Sequence, residues 1–211
     1  MESPEDRYIR LHSTAADEAL FWVERQTNIR SHYPQMLTGP VQGRLLTMLV
    51  EMTGAKRILE IGTFTGYSTI CLARGLNGNG HVDTLEINDE LEGLIREGWE
   101  RAGVSDCITL HITDARKFLA SATEQYDFVY IDANKREYCD YYEGVLPLLS
   151  QGGIILADDV LMGGKVYDDP PSGDRQTSGL VEFNERVSRD ERVETVILPI
   201  RDGLSIIRKK L

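Results

Sequence analysis

The sequence predicts a doubly wound α/β fold, a mostly parallel β-sheet with helices on both faces. Two patterns carry that prediction. From Lys56 onward, five short β-rich runs alternate with segments of helical periodicity, which implies parallel strands joined by right-handed crossovers. The last two β-rich runs are separated only by a tight-turn signal at Arg201-Asp202-Gly203, so an antiparallel pair closes one edge of a seven-stranded sheet. In such a sheet, ligands bind at the carboxyl ends of the strands.

The elements follow in order. Residues 1–55 read as helical. Asp17 to Ile29 carries an apolar stripe at Ala19, Leu20 and Val23. Gln42 to Thr53 repeats it, between the start signal Gly39-Pro40 and the stop signal Gly54. Ser31 to Pro40 is irregular. RILEIG is the first strand and TGYSTICLARGL its helix. HVDTLEI is followed by a helix stopped at Gly103, CITLHIT by ARKFLASA, and YDFVYID by REYCDYYEGVLPLL. GGIILADDV is the fifth strand. A Gly-, Asp- and Pro-rich loop then runs from Leu161 to Thr177, Leu180 to Arg189 is a helix, and VETVILPI and LSIIRKK close the chain. The organisation expected is one domain over 1–211, with 1–55 a helical extension over the active site and 56–211 the α/β core. Arg208, Lys209 and Lys210 read as a solvated basic tail.

Composition narrows the class of function. The 211 residues include 34 acids and 23 bases, a net charge of −11, which disfavours a protein whose main task is to grip nucleic acid or anionic membrane. Three scattered cysteines give neither a disulfide framework nor a Cys-rich zinc site. The acidic N-terminus is unlike a signal peptide, and no apolar run is long enough for a membrane helix. A cytoplasmic protein is expected.

The first strand ends in Glu60-Ile61-Gly62-Thr63-Phe64-Thr65-Gly66. Two glycines permit a sharp turn and close approach of a ligand. The turn lacks the third glycine of a dinucleotide fingerprint, and acidic Glu60 would repel a pyrophosphate. Glu86, ending the second strand, follows Gly62 at close to the roughly 20-residue spacing at which an acid meets ribose hydroxyls. Together these point to an adenosine ligand without a pyrophosphate. After the third strand, Ala115 leaves room for an adenine ring. Asp114 suits either the adenine amino group or the cap of the next helix.

The fourth strand ends at Asp132 and the fifth at Asp158-Asp159, on the same sheet edge as Glu60 and Glu86. Three converging carboxylates repel one another unless a hard cation such as Mg²⁺ joins them. Helix capping with a salt bridge to Lys135 is the competing explanation. Beside a metal, Lys135 could serve as a general base, provided its pKa is lowered.

These motifs, in this order, resemble the cation-dependent O-methyltransferases that use S-adenosylmethionine. That family comprises the caffeoyl-CoA O-methyltransferase-like group, its bacterial relatives and, more distantly, catechol O-methyltransferase. LEIGTFTGYST resembles the cofactor loop, FVYIDANKREYCDYY the IDADKxNYxxYY segment, ILADDVLMGGKV the LADNVLWxGxV segment, and VILPIRDGLSIIRK the closing hairpin. The resemblance implies a Rossmann-like methyltransferase fold. It implies Asp132, Asp158 and Asp159 as metal ligands and Lys135, with Asp132, as the catalytic pair. Cofactor contacts are implied for Met36, Thr38, Glu60, Gly62, Phe64, Ser68, Glu86, Ile87, Asp114, Ala115 and Asp132.

Three departures stand out. Asp159 replaces an asparagine, which suits tighter cation binding or Ca²⁺ or Mn²⁺ in place of Mg²⁺. Met162 replaces an aromatic wall of the acceptor pocket, and Asn134 replaces a carboxylate. The acceptor implied is a small phenol or catechol. A tRNA 5-hydroxyuridine is the alternative, and a non-catalytic S-adenosylmethionine-binding protein is the alternative of another class. Relatives imply a homodimer.

Overall fold

The computed structural model describes residues 3–76, 78–168 and 173–211. Three helices precede the sheet: α1 (Pro4–Leu11), α2 (Glu18–Arg30) and α3 (Pro40–Thr53). Asp17 caps α2 by accepting from the Leu20 amide at 3.1 Å. Pro40 opens α3, and Gly54 ends it in the left-handed conformation. The chain then alternates β1 (Arg57–Ile61), α4 (Tyr67–Gly75), β2 (His81–Glu86), α5 (Glu92–Ala102), β3 (Ile108–Ile112), α6 (Ala115–Ser121), β4 (Tyr126–Ile131), α7 (Tyr138–Val145) and β5 (Leu149–Ala157). Helix α8 (Arg175–Arg189) and the strands β6 (Val193–Leu198) and β7 (Leu204–Lys209) complete it.

The seven strands lie in the order β3-β2-β1-β4-β5-β7-β6. The first five are parallel, and β7 runs antiparallel to both β5 and β6. The sheet therefore has the predicted form, with β7 inserted between β5 and β6. Successive strands move outward in one direction from β1 and in the other from β4, so the switch point lies between those two. A crevice opens there at the carboxyl ends.

Alternating side chains feed two cores. Leu59, Ile61, Val129, Ile131 and Ile155 pack against α6, α7 and α8. Ile58, Val82, Phe128, Tyr130 and Leu156 pack against α2, α3, α4 and α5. With both faces covered, only the strand ends remain for a ligand.

Two local readings change. Helix α8 starts at Arg175 rather than Leu180, because Asp174 accepts from the Thr177 amide at 3.1 Å and from its hydroxyl at 2.8 Å, capping an earlier turn. Lys209 is not a solvated tail residue: its ammonium donates to the carbonyls of Leu146 and Leu149 at 2.9 and 2.6 Å, fastening β7 to the end of α7. Within the predicted loop from Leu161 to Thr177, Met162–Tyr167 forms a short 3₁₀ stretch broken at Gly163 and Gly164. Residues 169–172 of that loop lie outside the described residues.

Glu60 is fully buried in β1. One carboxyl oxygen accepts from the hydroxyls of Thr69 and Thr84 at 2.5 Å each, tying β1 to α4 and β2. The other oxygen has no hydrogen-bond donor. Burial pushes the carboxyl up to about 7, against the pull of the Ser68, Thr69 and Thr84 hydroxyls. The folded chain thus keeps a proton that the unfolded chain releases near its ordinary value of 4.5. Stability from this group is full below that value and is lost as pH rises through about 7. Glu60→Gln is therefore expected to raise stability at pH 8 by on the order of 3 kcal/mol, with the gain shrinking toward pH 5. Urea unfolding at the two pH values checks this, and a pH-independent difference would contradict it.

Candidate active site

The crevice at the switch point holds a cavity of about 780 Å³. Its floor is set by backbone. Gly62 sits at φ 105°, and a Cβ there would collide with the carbonyl of Asp132. The Asp132 amide donates to the Ile61 carbonyl at 2.9 Å, so the ends of β1 and β4 are drawn together at a position only glycine fits.

One end of the cavity lies over β1, β2 and β3. The Glu86 carboxylate accepts from the amides of Phe64 at 2.7 Å and of Ile87 and Asn88 at 2.9 Å each, which shapes the turn around it. Phe64 is held at φ 50°, a costly conformation for a side chain of its size. Ile87 presents an apolar side chain, 74% exposed, to the cavity. Ser68 and Ala115 line the same end. Asp114 caps α6, accepting from the Arg116 amide at 2.9 Å, and pairs with the Arg116 guanidinium at 2.8 Å. That guanidinium holds the Asp114 carboxyl down at about 2. The capping alternative thus describes Asp114 as the structure has it.

The other end lies over β4 and β5. Lys135 donates to Asp132 at 2.7 Å and pairs with Asp159 at 3.0 Å, bridging the two carboxylates. It also donates to the Tyr138 hydroxyl at 3.0 Å, which in turn donates to the Asp158 carbonyl at 2.9 Å. Asp158 is only 2% exposed. It accepts from the Gln42 amide at 2.6 Å, the Tyr130 hydroxyl at 2.9 Å and the Asp159 backbone amide at 2.9 Å. Burial first, then the charges of Asp132 and Asp159, push its carboxyl up to about 7. Lys135 departs from the expected lowered pKa. Burial works against its charge, but Tyr138, Asp132 and Asp159 outweigh it and hold the amine well above its ordinary value.

Met36 and Thr38, from the segment before α3, also line the cavity, as do Met162, Arg201 and Asp202. Of the residues expected from sequence, all line this cavity except Glu60, whose carboxyl turns into the body of the fold. Among the described residues, no set of three His, Cys, Asp or Glu side chains is already gathered for a metal ion. Sequence reasoning missed Gln42, Tyr130 and Arg201. Gln42 carried a usable signal, a polar residue on the buried face of a helical stripe. Tyr130 sits mid-strand among apolar residues and carried none.

With this geometry in view, the chain can be set beside known proteins. The O-methyltransferase family profile matches residues 11–210. Probable caffeoyl-CoA O-methyltransferase 2 of Dictyostelium discoideum is 35% identical over 187 residues, spanning 86% of this chain and 80% of that protein. Catechol O-methyltransferase of Niastella koreensis is 34% identical over 169 residues, spanning 78% and 76%. The crystal structure of the O-methyltransferase TomG from Streptomyces achromogenes, in complex with SAM, superposes with a TM-score of 0.91 at 29% identity and covers 100% of both chains. The cavity at the strand ends and the matched length of sequence lead to one assignment: this chain belongs to the O-methyltransferase family.

Proposed function

We infer that this O-methyltransferase moves the methyl group of S-adenosylmethionine to one hydroxyl of a small catechol-like acceptor, and that it does so with a divalent cation. The observation that carries the reading is Lys135, held between Asp132 and Asp159 at the β4–β5 end of a cavity whose other end offers Glu86 and Ile87. The SAM bound to TomG and the catechol activity named for the Niastella koreensis relative support it.

At the β1–β3 end, Gly62, Phe64 and Ser68 would shape the turn under the methionine part of the cofactor. Glu86 has carboxylate capacity left for a ribose, and Ile87 and Ala115 offer apolar surface to the adenine ring. Asp114 would meet the amino group only with the oxygen valency that Arg116 leaves. Met36 and Thr38 would cover the reacting centre and exclude water.

The donor set at the other end suits a cation. Three hard carboxylates come from adjacent strand ends, and burial first, then the charges of Asp132 and Asp159, raise the Asp158 carboxyl, so ionising all three calls for more positive charge than Lys135 supplies. Asp132, Asp158 and Asp159 would hold the ion, Mg²⁺ first, with Ca²⁺ or Mn²⁺ favoured by the full charge of Asp159. Bound there, it would supply Lewis acidity toward two vicinal oxygens.

Lys135 handles the acceptor's proton. It takes that proton as a neutral amine, after releasing one ammonium proton to water, a step that Tyr138, Asp132 and Asp159 make costly. The freed oxygen attacks the methyl carbon in line with the sulfur, and the electron pair of the breaking C–S bond stays on sulfur.

The direct experiment is a methyl-transfer assay with S-adenosylmethionine, catechol and each of the three cations, read by product mass. EDTA treatment is expected to abolish turnover and added Mg²⁺ to restore it; activity in metal-free buffer would remove the cation from the mechanism. Lys135→Ala is expected to lower kcat by roughly 10²–10⁴-fold with a smaller change in KM, the usual range for a lost proton-transfer group. An unchanged kcat would take Lys135 out of the chemistry. Asp159→Asn is expected to keep measurable activity and to shift the order of cation preference, and complete inactivity would contradict the role given to that position.

A further inference from the structure

Three cations line the cavity among the described residues: Arg116, Lys135 and Arg201. Arg116 is paired with Asp114 and Glu137 at 2.8 and 3.4 Å. Lys135 is paired with Asp132 and Asp159 at 2.7 and 3.0 Å. Arg201 makes no ion pair with any described residue, and one of its guanidinium N–H groups donates to the Thr38 carbonyl across the rim. A guanidinium has five N–H donors, so this bond fixes the side chain and leaves most of its donors unused.

The backbone at this position is unusual. Arg201 opens the turn between β6 and β7 at φ 50°, where a glycine would sit without cost. The turn is pinned from below. Val160 donates to the Gly203 carbonyl at 3.1 Å and Leu161 to the Asp202 carbonyl at 2.7 Å, the two residues that follow Asp158-Asp159. Arg201 is thus a strained, oriented and unneutralised cation, held on rigid backbone at the acceptor end of the cavity. Strain retained at a cavity-lining residue points to a function.

We propose that Arg201 is the acceptor-recognition residue, and that the acceptor carries an anionic group, a carboxylate or an equivalent oxyanion, placed away from the hydroxyl to be methylated. This rests on the reading that the acceptor occupies the β4–β5 end. The planar fork of a guanidinium matches two oxyanion oxygens at once, which would fix the acceptor's long axis as well as its affinity. The remaining charges at this end are the acids Asp132, Asp158, Asp159 and Asp202 and the cation Lys135, which Asp132 and Asp159 already hold. An anionic substituent is therefore accepted beside Arg201 and repelled elsewhere, so that the same residue sets which end of the acceptor enters first.

The test compares 3,4-dihydroxybenzoate with its methyl ester, two catechols that differ in one charge. Calorimetry is run on the whole protein with S-adenosylhomocysteine and Mg²⁺, for the wild type, Arg201→Gly and Arg201→Lys. The wild type is expected to bind the acid more tightly than the ester by roughly tenfold or more, the scale of one charge-assisted hydrogen bond. In Arg201→Gly that ratio should collapse toward one, and in Arg201→Lys part of it should survive. The melting temperature of Arg201→Gly should not fall, because glycine relaxes the turn; an arginine kept only for structure would give a lower one. No preference for the acid, or a preference that survives Arg201→Gly, overturns the proposal. Turnover is measured in parallel. Binding of the acid that depends on Arg201, without methylation of either catechol, would retire the catechol chemistry and uphold the anion site.

Discussion

The structure turns on the contact between the ends of β1 and β4. The Asp132 amide donates to the Ile61 carbonyl, and Gly62 presses its backbone where any side chain would strike the Asp132 carbonyl. Because strands on either side of this seam run outward in opposite directions, the helices above it part and leave a crevice. One strand end then carries the glycine turn and the other a carboxylate, within reach of a single ligand. A bulkier residue at 62 would push the strands apart, and both halves of the site would lose their register together.

Charge explains the rest of the arrangement. Asp132, Asp158 and Asp159 crowd one end of the cavity, and the protein offsets them without dispersing them. Lys135 bridges the outer two, while Gln42 and Tyr130 donate to the buried one. Tyr138 links the two systems, touching Lys135 with its hydroxyl oxygen and donating its proton to the Asp158 carbonyl. Such a network has few alternative arrangements, since each donor already serves a particular oxygen. Its rigidity suits a site that must hold a nucleophile in line with a methyl group.

Much of this was legible in the sequence, for identifiable reasons. The alternation of strand and helix periods survives in a chain whose sheet is covered on both faces, so the class of fold could be read while the strand order could not. Asp132, Lys135, Asp158 and Asp159 could be placed because strand ends in a parallel sheet share one edge. Glu60 shares that edge in sequence but not in orientation: β residues alternate, and its carboxyl meets Thr69 and Thr84 instead of the cavity. Gln42 and Arg201 come from elements remote in sequence from the strand ends, and their part in the site exists only once α3 and the final hairpin have docked. The run Arg208, Lys209, Lys210 misled because a lysine whose ammonium reaches two backbone carbonyls looks, in sequence, like one in water.

The position of β7 has a consequence for how the protein is made. Although it is the last strand of the chain, it lies inside the sheet, between β5 and β6. During synthesis the first five strands can pair as they emerge, but β5 keeps an open edge until Leu204–Lys209 has left the ribosome. Until then the turn that carries Arg201 has nothing to hold it against Val160 and Leu161. The nascent chain therefore passes through a stage in which the β1–β3 end of the cavity is assembled and the rim that carries Arg201 is not, bordered by an unpaired hydrophobic strand. That interval, rather than the finished molecule, is where a chaperone would have most to do.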